Sequence, residues 1–213
     1  VRELEGFGEK TEQTLEEGIK LIKTRPKRFL YASVSPLVNS LLHTFRAYPF
    51  IHQMEVAGSF RRGRETVGDL DFLAVSPQPE KVMNLFTTMK DVKEILAKGT
   101  TKSSILLSNG LQIDLRVVKD KEFGSAMNYF IGSKEHNIEL RKLALSKGYT
   151  LSEYGLFTLK GKKWIAGKTE DDIYQKLGLQ HIEPELRENR GEIIAAQQKK
   201  LPTLINTKDL NGI

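Results

Sequence analysis

Apolar and polar residues alternate with a period of two in four stretches of this chain, and recur with helical spacing in several others. Met54–Ala57, Asp69–Val75, Ser104–Ser108 and Gln112–Val118 read as strands. In the last of them Ile113, Leu115 and Val117 share one face and Gln112, Asp114 and Arg116 the other, because successive strand side chains point to opposite faces. Asn109-Gly110 joins the last two strands; both residues tolerate positive φ, which marks a hairpin. Helical spacing marks Ser35–Tyr48, with Pro36 near the first turn, and Pro79–Lys90 between the second and third strands. A further helix runs from about Ser133 to Lys147 and is ended by Gly148. Tyr149–Leu159 and Lys162–Ile165 read as short strands turning at Lys160-Gly161, and Thr169-x-x-Asp172 has the spacing of a capping box opening a helix to Gly178. Ahead of all these, a helix begins near Glu9 and runs past Leu21. The fold class is α+β: a mixed or antiparallel sheet with flanking helices, a smaller α+β unit after it, and a helical segment before it.

Composition bounds this picture without deciding it. At 213 residues the chain can bury one substantial core or two small ones. Its 33 Lys+Arg against 27 Asp+Glu give a formal charge of +6, which suits a polyanionic partner and is shared by many proteins that have none. The absence of cysteine excludes disulfides and thiolate metal sites. No signal peptide and no apolar run near eighteen residues is present, so the expectation is a soluble, cytoplasmic protein with no membrane partner. His43, His52, His136 and His181 are scattered and read as packing or surface residues; Trp164 reads as a packing anchor.

The chemistry lies in three acidic positions. Asp69 and Asp71 alternate on one strand face, while Leu70 and Phe72 point into a core. An isolated Asp-x-Asp is more often a solvated strand end, and Asp114 alone is equally a salt-bridge partner of Arg116 or a lysine. Taken together, a strand carrying Asp114 beside the Asp69/Asp71 strand makes a three-carboxylate cluster. Such oxygens repel unless a cation lies between them and suit two Mg²⁺ or Mn²⁺ ions, the arrangement used for in-line phosphoryl transfer. The preceding Gly58-Ser59 turn lets backbone and hydroxyl approach a phosphate, with Arg61, Arg62 and Arg64 supplying charge. The pattern is that of a nucleotidyltransferase.

Which one follows from Gly58-Ser59-Phe60-Arg61-Arg62-Gly63, Gly68-Asp69-Leu70-Asp71, Ile113-Asp114-Leu115-Arg116 and the segment from Tyr129 to Arg141. These resemble the family X DNA polymerases, the group containing DNA polymerase beta, in colinear order over nearly the whole chain. Leu177-Gly178-Leu179 and Pro184-Glu185-Leu186-Arg187-Glu188 are similar to the bacterial-type branch. The resemblance implies a nucleotidyltransferase palm and a thumb that add a nucleotide from a dNTP to a primer 3′-OH, on gapped DNA, as a monomer. It implies that Asp69 and Asp71 bridge both metals, and that Asp114 holds the catalytic metal and accepts the 3′-OH proton. Ser59, Arg62 and Gly68 match contacts to the triphosphate, and Arg28 falls where another such arginine lies. Tyr129 and Phe130 match residues under the incoming sugar, Gly132 a glycine beside a cis peptide, and Asn137 a reader of the minor-groove edge of the base. Arg141 matches a template-strand contact, and Arg116 a residue that pairs with a metal-site carboxylate in the open enzyme.

Two positions depart from the pattern. Gln112 stands where the beta-type enzymes have arginine, and Lys134 replaces an acidic residue beside the incoming base, where it is expected to face solvent. The implied division is a helix-hairpin-helix or fingers remnant at 1–30, palm at 31–122, thumb at 123–190, and a tail at 191–213. Its last residues, Thr207-Lys208-Asp209-Leu210-Asn211-Gly212-Ile213, resemble the lead-in to the metal-dependent phosphoesterase domain of bacterial-type members. Within the remnant Gly6, Gly8 and Lys10 are expected to meet a DNA phosphate through backbone N–H groups. The alternatives are a template-independent or small-substrate nucleotidyltransferase and a non-catalytic DNA-binding module.

Overall fold

The computed structural model describes residues 8, 11–15, 27–205 and 209. Gly6, Lys10 and most of the helix expected past Glu9 lie outside the described residues. Within them residues 11–15 are helical, and the Gly8 carbonyl accepts the N–H groups of Thr11 and Glu12 at 3.0 and 3.1 Å.

The larger unit is a five-stranded sheet of order β2-β4-β7-β6-β5, built from β2 (Gln53–Val56), β4 (Asp69–Val75), β5 (Val92–Lys98), β6 (Lys102–Leu107) and β7 (Gln112–Val118). Only β4 and β7 run parallel; every other neighbouring pair is antiparallel. One sheet face is largely apolar. Leu70, Phe72 and Ala74 of β4 and Ile113, Leu115 and Val117 of β7 pack there against α1 (Tyr31–Arg46) and α3 (Pro79–Thr87). Helix α1 contributes Val34, Val38, Leu41 and Phe45, a helical stripe whose burial stabilises by about 1.5–3 kcal/mol per side chain.

The other face is divided. Leu73 and Val75 are covered by Phe123, Ala126, Met127 and Ile131 of α4 (Phe123–Ile131), whereas Asp69 and Asp71, on the same face, lie at the opposite end of β4. That division places the carboxylates at the edge of the helical cover.

The second unit packs α5 (Lys134–Ser146), the small sheet β10-β9-β8 and α6 (Glu170–Lys176) around Leu140, Ala144, Leu156, Ile173, Tyr174 and Leu177. The strands are β8 (Tyr149–Ser152), β9 (Gly155–Thr158) and β10 (Trp164–Ala166). The capping box forms as its spacing indicates: Asp172 N–H donates to Thr169 Oγ1 at 3.1 Å and Thr169 N–H to Asp172 Oδ2 at 3.0 Å. Among the described residues no helix is long and apolar enough to cross a membrane.

Several expectations need correction. Helix α1 starts at Tyr31, so Pro36 sits inside it and removes one ladder bond; the extension is held by Tyr31, whose ring stacks on Phe60 at 4.4 Å. The segment read as one strand from Tyr149 to Leu159 is two, broken at Glu153-Tyr154. Strand β5 was not legible because it is an edge exposed along nearly its whole length, and so carries no alternation. The two-residue pair β1 (Phe29–Leu30) and β3 (Thr66–Val67) is too short for any period. Residues beyond 190 are not simply a tail: α7 (Glu192–Gln197) buries Ala196 in the core of the second unit.

Candidate active site

The parallel register of β4 and β7 sets Asp71 directly opposite Asp114, and Asp69 opposite Gln112. Asp71 is half-buried, and its carboxyl is pushed up to about 7, first by burial and then by the Asp69 and Asp114 carboxylates; Lys102 and Arg116 oppose the shift. The backbone crowds it as well. Gly58 has φ +62°, and a Cβ there would fall 2.4 Å from Asp71 Oδ2. Only glycine therefore fits, for both conformation and space. The segment read as a turn is a four-residue helix, α2 (Gly58–Arg61), which carries Ser59 beside the Asp71 strand.

Asp114 Oδ1 accepts a hydrogen bond from Gln112 Nε2 at 3.0 Å. Asp71, Asp114, Lys102, Arg116 and Phe130 line a small cavity of about 60 Å³. Asp69, at the first position of β4, is exposed. Among the described residues no three carboxylate or imidazole groups are gathered tightly enough to form a ready cage. The three-carboxylate cluster is thus looser than its spacing implied: Asp71 and Asp114 adjoin, and Asp69 stands two residues along its strand, about 6.6 Å away by strand rise. Repulsion among like charges keeps such a set open. The donors nevertheless fit a divalent cation, since all are hard oxygens and the ionised form of Asp71 is costly beside two anions.

The Arg116 guanidinium lies 4.6 Å over the Phe130 ring, from which its charge lowers the Asp71 shift; among the described residues no carboxylate pairs with it here. Phe130 meets Tyr129 edge to face at 5.0 Å. Arg28 is held by Thr66, donating Nε–H to Oγ1 at 2.9 Å and Nη2–H to the carbonyl at 2.7 Å, with Nη1 next to Gly68. Arg62 donates through Nε to Glu188 Oε1 at 2.8 Å and through Nη1 to the Ile131 carbonyl.

The segment after α4 continues the site. Gly132 has φ +74° and is joined to Ser133 by a cis peptide. Ser133 caps α5, its Oγ accepting the His136 N–H at 3.2 Å. Asn137 Nδ2 donates to the Tyr129 carbonyl at 2.7 Å, and the Asn137 backbone carbonyl accepts from Arg141 Nε at 3.2 Å. Lys134 is exposed, as expected for a lysine at the start of a helix.

Sequence reasoning missed Lys102, which faces Asp71, and the cluster Glu170, Arg187, Glu188 and Glu192. Lys102 was hidden because it precedes the alternating run of β6. The cluster was hidden because nothing in Pro184–Glu188 indicates that Arg187 is fully buried, with Nη1 donating to Glu170 Oε1 at 2.5 Å and Nε to the Ile182 carbonyl at 2.8 Å.

Comparison with known proteins agrees with this geometry. Residues 31–130 match the family model of the DNA polymerase beta palm, and residues 126–188 that of the DNA polymerase beta thumb. The chain is 32% identical over 195 residues to the DNA polymerase/3'-5' exonuclease PolX of Bacillus subtilis, covering 91% of this chain and 34% of that protein. It is 32% identical over 161 residues to DNA polymerase lambda of Rattus norvegicus, covering 62% of this chain and 28% of that protein. The chain therefore spans about a third of the length of these relatives. In structure it is similar to Leishmania infantum polymerase beta in its ternary P/T complex, with a TM-score of 0.65, 21% identity, and coverage of 87% of this chain and 95% of that one. The fold, the two adjoining models and the relatives agree: the chain belongs to family X of the DNA polymerases, the family of DNA polymerase beta.

Proposed function

We propose that this chain is the palm and thumb of a repair-type, DNA-directed DNA polymerase, transferring a nucleotide from a dNTP to a primer 3′-OH with release of pyrophosphate. One observation carries the reading: parallel register sets Asp71 against Asp114 while Gly58, the first residue of α2, packs against the Asp71 carboxylate. Asp69, Asp71 and Asp114 would hold two Mg²⁺ or Mn²⁺ ions. When bound, such ions lower the pKa of an attacking hydroxyl and neutralise charge on the transferred phosphoryl group.

The chain's own residues do the rest. Asp114, oriented by Gln112, accepts the proton of the 3′-OH as the O3′–Pα bond forms and the bond to pyrophosphate breaks. Ser59, Arg62, Gly68 and Arg28 hold the triphosphate. Tyr129, Phe130 and Gly132 lie under the sugar, Asn137 faces the base, and Arg141 contacts the template strand. Arg116, released from Phe130, is the conformational residue. Gapped DNA and a dNTP are the partners, and Gly8 at its helix start is a phosphate contact. The division into palm at 31–122 and thumb at 123–190 belongs to the same reading.

Primer extension on gapped DNA with Mg²⁺ tests it. Template-directed addition is expected, with Asp114→Ala slower by about 10³-fold, equivalent to about 4 kcal/mol of barrier. Label transfer that ignores the template would replace it with a template-independent transferase, and full activity in Asp114→Ala would sink the catalytic assignment.

A further inference from the structure

Outside the carboxylates, a partly buried ion pair joins the two units. Arg62, from the palm, and Glu188, from the thumb, lie 126 residues apart in sequence and meet at 2.8 Å. Their side chains are only 14% and 21% exposed, so this is not a solvated surface pair. Arg64 approaches the same Glu188 oxygen at 3.6 Å.

Glu188 sits in a pinned stretch of backbone. Arg187 before it is fully buried, its guanidinium donating to Glu170 and to the Ile182 carbonyl, and its own carbonyl accepts the Ser133 N–H at 2.9 Å. After it, the Glu192 carboxylate accepts the N–H groups of Asn189 at 3.0 Å and Arg190 at 2.7 Å, and bonds His136 Nδ1 at 2.7 Å. Both sides of Glu188 are thereby tied to helices α5 and α6, and its carboxylate is delivered to the palm at a fixed place. The Arg62 guanidinium receives a second restraint from the Ile131 carbonyl. With Nε and Nη1 so engaged, the side chain is oriented before any ligand arrives.

We infer that Glu188 is a positioning residue for phosphate recognition: it fixes the Arg62 guanidinium from the thumb side, so that the triphosphate meets a donor already in place. This rests on the reading that a nucleoside triphosphate binds at this end of the palm. A strut that merely joined the two units would raise stability without changing phosphate affinity. A positioning residue changes phosphate affinity even where the fold is intact.

Calorimetric titration of the full chain with dATP and with inorganic triphosphate, both with Mg²⁺, separates these cases. Glu188→Gln keeps the shape of the side chain and removes its charge. Both probes are expected to bind about 10-fold more weakly to it, with Glu188→Asp recovering most of the loss and thermal unfolding reporting that each variant is folded. In an Arg62→Lys background, which lacks the forked guanidinium, Glu188→Gln is expected to change affinity by less than about 2-fold. Unchanged affinity in Glu188→Gln overturns the inference in favour of a strut. Tighter binding overturns it the other way, making Glu188 a competitor for the phosphates; a loss confined to dATP would place its effect away from them. If Glu188→Gln does not fold, Glu188→Ala decides, with wild-type affinity overturning the inference. Wild-type protein that binds neither probe would remove the underlying nucleotide reading instead.

Discussion

The thumb and the palm both bury charge, and they treat it in opposite ways. In the thumb the buried charges of Arg187 and Glu192 have partners from the same chain: Arg187 meets Glu170 at 2.5 Å, and Glu192 meets His136 at 2.7 Å together with two backbone N–H groups. Glu192 is accordingly held below the usual carboxylate range despite its burial, whereas burial keeps the His136 imidazole below its ordinary value. In the palm Asp71 lies beside two other carboxylates, which Lys102 and Arg116 offset only in part. Its nearest influences are burial and two other carboxylates, and its carboxyl moves up to about 7. A chain that satisfies its charges internally in one unit and leaves them unsatisfied in the other has put the first to structural use and kept the second for something that comes from outside.

The largest effect on this contrast should come from breaking the thumb's pairing. Arg187→Ala leaves Glu170 without its cation and opens space beside Tyr174, over whose ring the guanidinium lies at 5.4 Å. A loss of about 3–5 kcal/mol is expected for removing one partner of a buried pair, read by denaturant or thermal unfolding. A loss under about 1 kcal/mol would mean that the pair behaves as a surface contact and that the contrast with the palm is false.

The matching change in the palm should act with the opposite sign. Asp71→Asn removes a charge that the chain does not compensate, so the metal-free protein should become more stable while its response to Mg²⁺ disappears. The wild type should gain about 2.7 kcal/mol when Mg²⁺ is a hundredfold above its dissociation constant. The pH dependence follows from the raised carboxyl. The folded state binds the Asp71 proton more tightly than the unfolded chain does, so the stability this proton supplies is fully present below about 4 and lost as pH rises through about 7. In EDTA, wild-type unfolding should show that decline from this group and Asp71→Asn should lack it. Stability of Asp71→Asn below that of the wild type at pH 8 in EDTA would show that Asp71 is structurally satisfied after all.

The same contrast explains what could be read from the sequence. Asp69, Asp71 and Asp114 were legible because strand alternation forces carboxylates into view among Leu70, Phe72, Ile113 and Leu115, where a core residue would otherwise serve. Their side-by-side placement was legible too, since an apolar face on each strand leaves few ways to pair them; β4 and β7 indeed adjoin, with Asp71 opposite Asp114. Arg187 and Glu192 were not legible, because their burial depends on three segments far apart in sequence: α5, α6 and the stretch from 184 to 192. Strand β5 was invisible for the converse reason. Solvent reaches both its faces, so no pressure shapes its pattern, and Ile95 and Leu96 are equally exposed. Periodicity reports burial on one face; it is silent where both faces are wet and where charge is buried by tertiary contact.

The smallest test asks whether the thumb's ionic pair depends on the helix that presents it. Glu170 is the first residue of α6, directly after the Thr169 cap, so the acid that neutralises Arg187 is placed by a local motif legible in sequence. Thr169→Ala removes the acceptor of the Asp172 N–H and half of the capping box. The helix end should lose about 1 kcal/mol, a fall of about 2–4 °C in the unfolding midpoint for a chain of this size. If cap and ion pair act independently, the same decrement should appear in an Arg187→Ala background. If the cap's main role is to aim Glu170 at Arg187, the decrement should shrink once Arg187 is gone, and the difference measures the coupling directly. Mg²⁺ stabilisation should be untouched in either case, because α6 packs on the thumb core and contributes no oxygen to the Asp71 end of the palm. A Thr169→Ala protein that lost its Mg²⁺ response would show that the Glu170–Arg187 pair is coupled to the palm carboxylates, and would undo the contrast between them.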